Sequence, residues 1–579
     1  MRDELLGAPA APLSTYRLQL NRDLPFPKAA EVVPYLSRLG ASHLYASPTL
    51  AAAPGSLHGY DVVDHQSLNP EFGGEAGCAQ LCEALARAGM GQVMDLVPNH
   101  MGIERGNALW MDVLENGPSS FYARYFDIDW DPPKAELKDK VLLPVLGGQY
   151  GQVLERGELK LCYEGGALLV RYYDHAFPLA PRQYGRVLVH GLEALAGRLG
   201  ADHPDLQELQ SVLTAIEHLP ARTETDRARV LVRRREKEVV KRRLHALVER
   251  NAAVRAHLEE NLRRFNGDPE DPSSFDLLDG LLDGCSYRLA DWRVAGEEIN
   301  YRRFFDVNGL AAIRVEDPEV FEEAHALPLR LLAEGKVHGL RIDHPDGLFD
   351  PTAYFLDLQE RYFLLRARRR AEASPGPVPW GSLEGPLREL WRAEVRARED
   401  HPLRKALFVV VEKIQGGKER IPSTWAVHGT VGYRFANATT GVFVDRAAER
   451  ALTGGYHRFI GRAFDYGELV AERKRLVLEM SMSSEVNVLA RELNRISELN
   501  RRTRDFTLHS LRRALVEVIA RFPVYRTYVD GWRQEVDERD AQYIRWAVAR
   551  ARRHDPASNA SIYDFLQDVL LQRTGPRAA

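Results

Sequence analysis

GCAQLCEALARAGMGQVMDLVPNH, residues 77–100, decides the fold. Its first half, to Met90, has the pattern of an amphipathic helix that ends in glycine. Its second half is a short apolar run that delivers Asp95, then Asn99 and His100, into a turn. A helix followed at once by a buried strand is the unit of a parallel sheet with crossover helices. Upstream, LSTYRLQL (13–20) reads as a strand, AAEVVPYLSRLGA (29–41) as a helix and SHLYASPTL (42–50) as a second strand. Each strand ends in polar or turn residues, the end at which barrel enzymes place their chemistry.

Downstream the alternation breaks and resumes. Residues 101–190 are rich in Gly, Pro and aromatics, as in FYARYFDIDW (121–130), and read as a loop-rich insertion. Residues 200–265 are helical. Their charge run, LVRRREKEVVKRRLHALVER (231–250), carries interleaved glutamates and an apolar stripe, so a solvated helix face is favoured over a nucleic-acid stripe. KVHGLRID (336–343) and ALFVVVEKI (406–414) read as strands, SPGPVPWGSLEGP (374–386) as a loop, and STWAVHGTVGYRF (423–435) as a sixth strand; 440–570 is helical almost throughout.

These elements predict an α/β fold, a (β/α)8 TIM-type barrel incomplete at its C-terminus, with large loop-rich and helical insertions. The expected boundaries are 1–105 for strands one to three, then 106–300 for inserted subdomains (loop-rich 106–190, helical 191–300). Strands four to six follow in 301–439, and a helical insertion in 440–579.

The 579 residues are 45% hydrophobic and 28% charged with net charge −4, ordinary for a soluble globular protein. That balance gives no reason to expect a nucleic-acid or membrane partner. No run of about 18 apolar residues exists to span a bilayer, and MRDELLGAPAAPLSTYRL lacks a signal-peptide core; a cytoplasmic enzyme is the expectation. Of the four cysteines, Cys78 and Cys82 are four apart, but no second Cys/His pair has matching spacing for a metal, so reduced thiols are expected.

Four strand ends carry polar clusters: HGYDVVDH (58–65), DLVPNH (95–100), GLRIDHPDG (339–347) and VVVEKI (409–414). Tyr60 beside Asp61 has the make-up of a sugar platform or of a structural turn. Arg341 and Asp343, two apart on one side of a strand, read either as a terminal ion pair or as a catalytic carboxylate held by its arginine. Glu412 ends the run Leu407–Val411. A carboxylate there is costly unless paired, protonated or at a cavity surface; Lys413 points to the other face and is a poor partner. Glu412 thus reads as a rim salt bridge or as a proton donor with a raised pKa. Together an arginine-held aspartate and a semi-buried glutamate match retaining glycoside chemistry, which places the two carboxyl groups about 5–5.5 Å apart.

DLVPNH, GLRIDHPDG and VVVEKI, in that order, resemble signature regions of the alpha-amylase superfamily. GYDVVDH with NPEFGG resembles its preceding sequence. STYRLQL (14–20), YASPTL (45–50), PGSLHGYDVVD (54–64), YRLADWR (287–293), INYRRFFDVNGLAAIRVE (299–316) and FPVYRTYV (522–529) resemble, within it, the maltooligosyltrehalose synthase family. The resemblance implies an isomerase, a glucosylmutase that converts the reducing-end α-1,4 bond of a maltooligosaccharide into an α,α-1,1 bond. It implies Asp343 as nucleophile and Glu412 as acid/base. Arg341 would keep Asp343 ionised; Tyr60, Asp61, His100 and His344 would line the sugar site. Asp95 would position Arg341, and Asn99 would have no metal role. Trp292, Tyr301, Arg302 and Arg303 are candidates to hold the freed glucose, against a packing role. No cofactor or metal is implied, and the product would pass to a separate trehalose-releasing hydrolase.

Two departures stand out. The family's GTTGYDF is GTVGYRF here (429–435), so Arg434 reverses a charge. The superfamily's third aspartate, with strands seven and eight and the C-terminal β-domain, has no counterpart before FLQDVLLQRTGPRAA (565–579). Truncation, and poor catalysis by this chain, is the expectation; a hydrolase of the same superfamily and an inactive maltooligosaccharide-binding form are the alternatives.

Overall fold

The structure, a computed structural model, describes residues 11–104, 106–374, 378–417, 419–531, 536–556 and 559–573. The leader reading on residues 1–10, residues 375–377 of the expected loop and residues 574–579 of the closing stretch lie outside them. The chain forms two compact units, 1–101 with 313–579, and 102–312.

The first unit is built on one six-stranded sheet. Its strands are β1 (Thr15–Leu18), β2 (His43–Ala46), β3 (Gly91–Leu96), β4 (Gly339–Ile342), β5 (Phe408–Val411) and β6 (Gly429–Thr430), adjacent in that order and all parallel. These are the six strands expected. The crossovers are α1 (Phe26–Leu39), α2 (Gly74–Arg87), α3 (Pro318–Ala333) and α4 (Pro351–Glu372). Each helix starts and stops on a local cue. Gly40 closes α1 at φ 90°, giving its N–H to Leu36 and Ser37 carbonyls, as a left-handed cap does. Asp317 and Asp350 accept backbone N–H bonds at the starts of α3 and α4. The central strand β3 is buried at all six residues, as expected for a parallel strand covered on both faces. β1 and β6 are the edges among the described residues.

Two expectations are corrected here. STWAVHGTVGYRF is not a full strand: only Gly429 and Thr430 pair, against Val410 and Val411, and a helix starts at Tyr433. An edge strand has one neighbour to hold it, and Gly432 breaks the extended run. The 374–386 stretch is not all loop: a helix runs Trp380–Trp391. Proline ahead of a first turn starts a helix as readily as it breaks one, and Pro386 is tolerated within it. Beyond β6 the unit is helical, as expected. Helices Ser483–Glu498, Leu508–Ala520, Glu538–His554 and Ala560–Leu570 pack around Val486, Leu511, Ile544, Tyr563 and Leu566.

The second unit is less irregular than its composition suggested. Leu159–Glu164, Ala167–Tyr172 and His175–Pro178 form an antiparallel sheet. Its first hairpin turns on Gly165 and Gly166, both at positive φ, the two-residue turn that glycine pairs favour. Val141–Leu146 pairs with Tyr287–Asp291 in parallel. The charge run lies on a helix, Arg227–Arg250, but is not wholly solvated: Arg233 and Lys237 are buried. Lys237 Nζ sits 2.9 Å from Asp112 Oδ2 and also bridges Glu115. Burial works against its charge, and these two carboxylates outweigh it and raise its pKa.

Candidate active site

Register sets the site. In a parallel sheet, paired residues share a face and every second residue returns to it. Arg17 pairs with Tyr45, and Arg341 pairs with Asp95. Arg341 also pairs with Val410, two residues before Glu412, and Asp343 is two residues beyond Arg341. One face of four consecutive strands therefore presents Arg17, Tyr45, Asp95, Arg341 and Asp343, and the extension of β5 adds Glu412. The ladder continues past the strand ends, where Asp343 N–H donates to Leu96 O and Glu412 N–H to Ile342 O, each at 2.9 Å.

Arg341 is the centre. Its Nη1 donates to Asp95 Oδ1 at 2.8 Å and to Asp343 Oδ1 at 2.6 Å. Its Nη2 stands 4.0 Å from Glu412 Oε2. Three carboxylates thus surround one guanidinium. The Asp95 side chain is fully buried, those of Arg341 and Asp343 are 9% and 8% exposed, and that of Glu412 is 21% exposed. Burial would lower the arginine's pKa, but Asp95 and Asp343 outweigh it and raise it.

Arg341 favours the ionised form of Asp343, and burial opposes it. Burial pushes Asp343 up to about 7, with Asp95 and Glu412 adding to it, and Arg341 offsets only part. The guanidinium that serves Asp343 also serves Asp95. Asp343 Oδ2 accepts no hydrogen bond among the described residues, so the oxygen not held by arginine is the one available to a substrate.

A turn joins the two outer carboxylates. His344 takes a left-handed conformation, φ 40° and ψ 56°, which is sparsely populated outside glycine. Its N–H then donates to Glu412 Oε2 at 3.2 Å, and Tyr433 OH donates to Glu412 Oε1 at 3.4 Å. Gly347 closes the turn. A Cβ there would fall inside contact distance of Asn99 Oδ1 and 2.6 Å from His344 Cδ2. The buried Lys413 does point elsewhere, to Asp346 at 3.0 Å and Glu419 at 2.9 Å.

The remaining residues of this unit expected to line a sugar are gathered by β3 and the 56–61 loop. His100 Nε2 lies 3.2 Å from Tyr60 O and its Nδ1 3.3 Å from Asn99 Nδ2; the tautomer protonated on Nε2 satisfies both. Tyr60 OH donates to Asp95 Oδ2 at 2.8 Å, and burial, with Asp95 next, pushes the phenol up to about 12. Asp61 accepts from Ser56 Oγ at 2.6 Å. Trp292, Tyr301, Arg302 and Arg303 belong to the second unit. There Tyr301 OH donates to Asn308 O, Arg302 Nε to Asp127 at 2.8 Å and Arg303 to Asn308 Oδ1 at 2.8 Å, while Trp292 is exposed under Arg293.

Two groups escape a reading of the sequence alone. Arg17 and Tyr45 reach Asp95 from β1 and β2; the available signal is one arginine inside STYRLQL. The FPVYRTYV stretch returns from the helical region to brace the turn after Asp343. Arg526 donates to the carbonyls of Asp346 and Leu348, at 2.9 and 2.7 Å, and Tyr528 OH to Asp346 Oδ1. The Tyr525 ring stands edge-on to His344 at 5.7 Å.

The alpha-amylase catalytic-domain family matches residues 29–152. A putative maltooligosyl trehalose synthase of Mycobacterium tuberculosis is 30% identical over 492 residues, 84% of this chain and 44% of that protein. The solved maltooligosyltrehalose synthase of Arthrobacter ramosus is 31% identical, with TM-score 0.65 over 98% of this chain and 54% of its own. A hypothetical maltooligosyl trehalose synthase of Sulfolobus tokodaii is 25% identical, with TM-score 0.59 over 98% of this chain and 55% of its own. The chain spans about half the length of the relatives it matches.

Proposed function

The chain belongs to the alpha-amylase superfamily, beside the maltooligosyltrehalose synthases, and on that premise we propose that its strand-end carboxylates rearrange the reducing end of maltooligosaccharides. The bond changed is the last α-1,4 linkage, and the product is an α,α-1,1 linkage. The observation that carries the reading is the Arg341 cluster, with Asp343 held at 2.6 Å and Glu412 facing the same guanidinium at 4.0 Å.

Asp343 is the nucleophile and Glu412 the acid/base. Arg341 fixes Oδ1, so Oδ2 attacks the anomeric carbon while Glu412 protonates the departing oxygen. The result is a β-glycosyl ester on Asp343 and a free glucose. That glucose turns within the site, and its anomeric hydroxyl gives its proton to Glu412. The resulting oxygen attacks the same carbon, the ester bond to Asp343 breaks, and the second inversion restores the α configuration. Holding the freed glucose makes this step effectively intramolecular. Tyr60, Asp61, His100 and His344 line the donor sugar, and Asp95 and Asn99 support them. A separate trehalose-releasing hydrolase would consume the product.

Maltopentaose is the test. Loss of reducing ends at constant total sugar, abolished in Asp343→Asn, supports rearrangement. A gain of reducing ends identifies a hydrolase instead. No change in either quantity refutes catalysis by this chain.

A further inference from the structure

Asp95 is more than a tether for Arg341. Its Oδ1 accepts from Arg341, while Oδ2 accepts from Tyr45 OH at 3.0 Å, Tyr60 OH at 2.8 Å and Arg17 Nη1 at 3.3 Å. Arg17 also donates Nη2 to Tyr60 OH at 3.0 Å and to Gln19 Oε1 at 3.2 Å, and its guanidinium lies 4.6 Å over the Tyr45 ring. The Tyr60 hydroxyl thus accepts from Arg17 and donates its own O–H to Asp95. Arg17 is the second cation of the cluster, and its side chain is 34% exposed.

We propose that Arg17 is a positioning residue for the nucleophile: by satisfying Asp95 from the first strand, it leaves the charge of Arg341 to Asp343. The inference rests on the reading of Asp343 as nucleophile. Its physical basis is the shared nitrogen, since Arg341 Nη1 serves both aspartates. The charged groups around it are two arginines, Arg17 and Arg341, against Asp95, Asp343 and Glu412. The neutral phenols Tyr45, Tyr60 and Tyr433 complete the set. Loss of Arg17 leaves one cation for three carboxylates. Asp95 then has three of its four donors and draws harder on Arg341 Nη1, the nitrogen it shares with Asp343, so Asp343 takes a proton more readily. A unit charge one carboxylate removed, in a partly buried site, changes a titration by on the order of one pH unit.

The test does not need turnover. The full chain labelled with [γ-13C]aspartate is titrated by NMR, with Asp343 identified by the signal lost in Asp343→Asn. Arg17→Gln moves the Asp343 midpoint up by about one pH unit, and Arg17→Lys, which keeps the charge, stays within a few tenths of the parent. Tyr45→Phe removes one neutral donor and moves the midpoint in the same direction by less. It also serves if Arg17→Gln does not fold. An unmoved midpoint in a folded Arg17→Gln, or equal shifts in Arg17→Gln and Arg17→Lys, overturns the inference. Neither result bears on whether Asp343→Asn abolishes rearrangement of maltopentaose, so failure of the nucleophile reading is seen separately.

Discussion

Asp343→Asn is expected to stabilise the fold increasingly from pH 4 to pH 7. Asp343 moves from an ordinary 3.8 in the unfolded chain to about 7 in the fold, chiefly through burial. Between those values the folded chain holds a proton that the unfolded chain releases. Stability from this group is therefore complete below pH 4 and falls as pH rises through 7. Three units at about 1.4 kcal/mol each give a loss of about 4 kcal/mol above pH 7. Asparagine cannot titrate, so the variant escapes that loss while giving up a charged hydrogen bond to Arg341. The difference, variant minus parent, should thus rise by about 4 kcal/mol across the window, with a constant offset beneath it. Urea unfolding of both chains at several pH values, followed by the fluorescence of the first unit's buried Trp425, reads this difference. A difference flat from pH 4 to 8 would falsify the claim that burial outweighs Arg341 at Asp343.

Glu412→Gln keeps the His344 N–H bond but supplies no proton, and a 10²- to 10⁴-fold drop in maltopentaose turnover (about the worth of one acid/base group) is expected; unchanged turnover would remove Glu412 from the chemistry. Gly347→Ala forces a methyl against Asn99 and His344, costing about 1–3 kcal/mol and displacing the turn that presents the His344 N–H to Glu412. Urea midpoints and turnover should fall together, and a silent substitution would mean the turn is slack. Lys237→Met in the second unit takes one of two lysines from the almost fully buried Glu115, which keeps Lys241, and leaves Asp112 with the Ser120 hydroxyl. A loss of about 1.5–3 kcal/mol is expected, read by hydrogen exchange as faster exchange within residues 102–312; uniform protection would contradict it.

Local pattern alone determined much of this protein. The helix and strand of residues 77–100, the six parallel strands and the polar residues at their ends are legible because hydrophobic period and chain punctuation act over a few residues. Asp343, Glu412 and Arg341 were legible for the same reason: a charge that interrupts an apolar run at a strand end marks itself. Regions whose structure depends on partners were misread. The Gly165–Gly166 hairpin was hidden in a Gly-rich stretch, and β6 was overextended because an edge strand's length is set by its one neighbour. Lys237 looked solvated, since its partners Asp112 and Glu115 lie more than a hundred residues away, and so did Arg233, which bonds Asn116 and the Pro220 carbonyl.

The tertiary structure alone decided the ionisation of the site. Sequence places Arg341 two residues from Asp343 and suggests a private ion pair. Register places Asp95 on the same Arg341 nitrogen at 2.8 Å, with Arg17, Tyr45 and Tyr60 on its other oxygen, and burial acts on all of them. Proximity along the chain names the groups that meet, but the balance of charge and solvent around them is a sum over strands that only the folded sheet brings together.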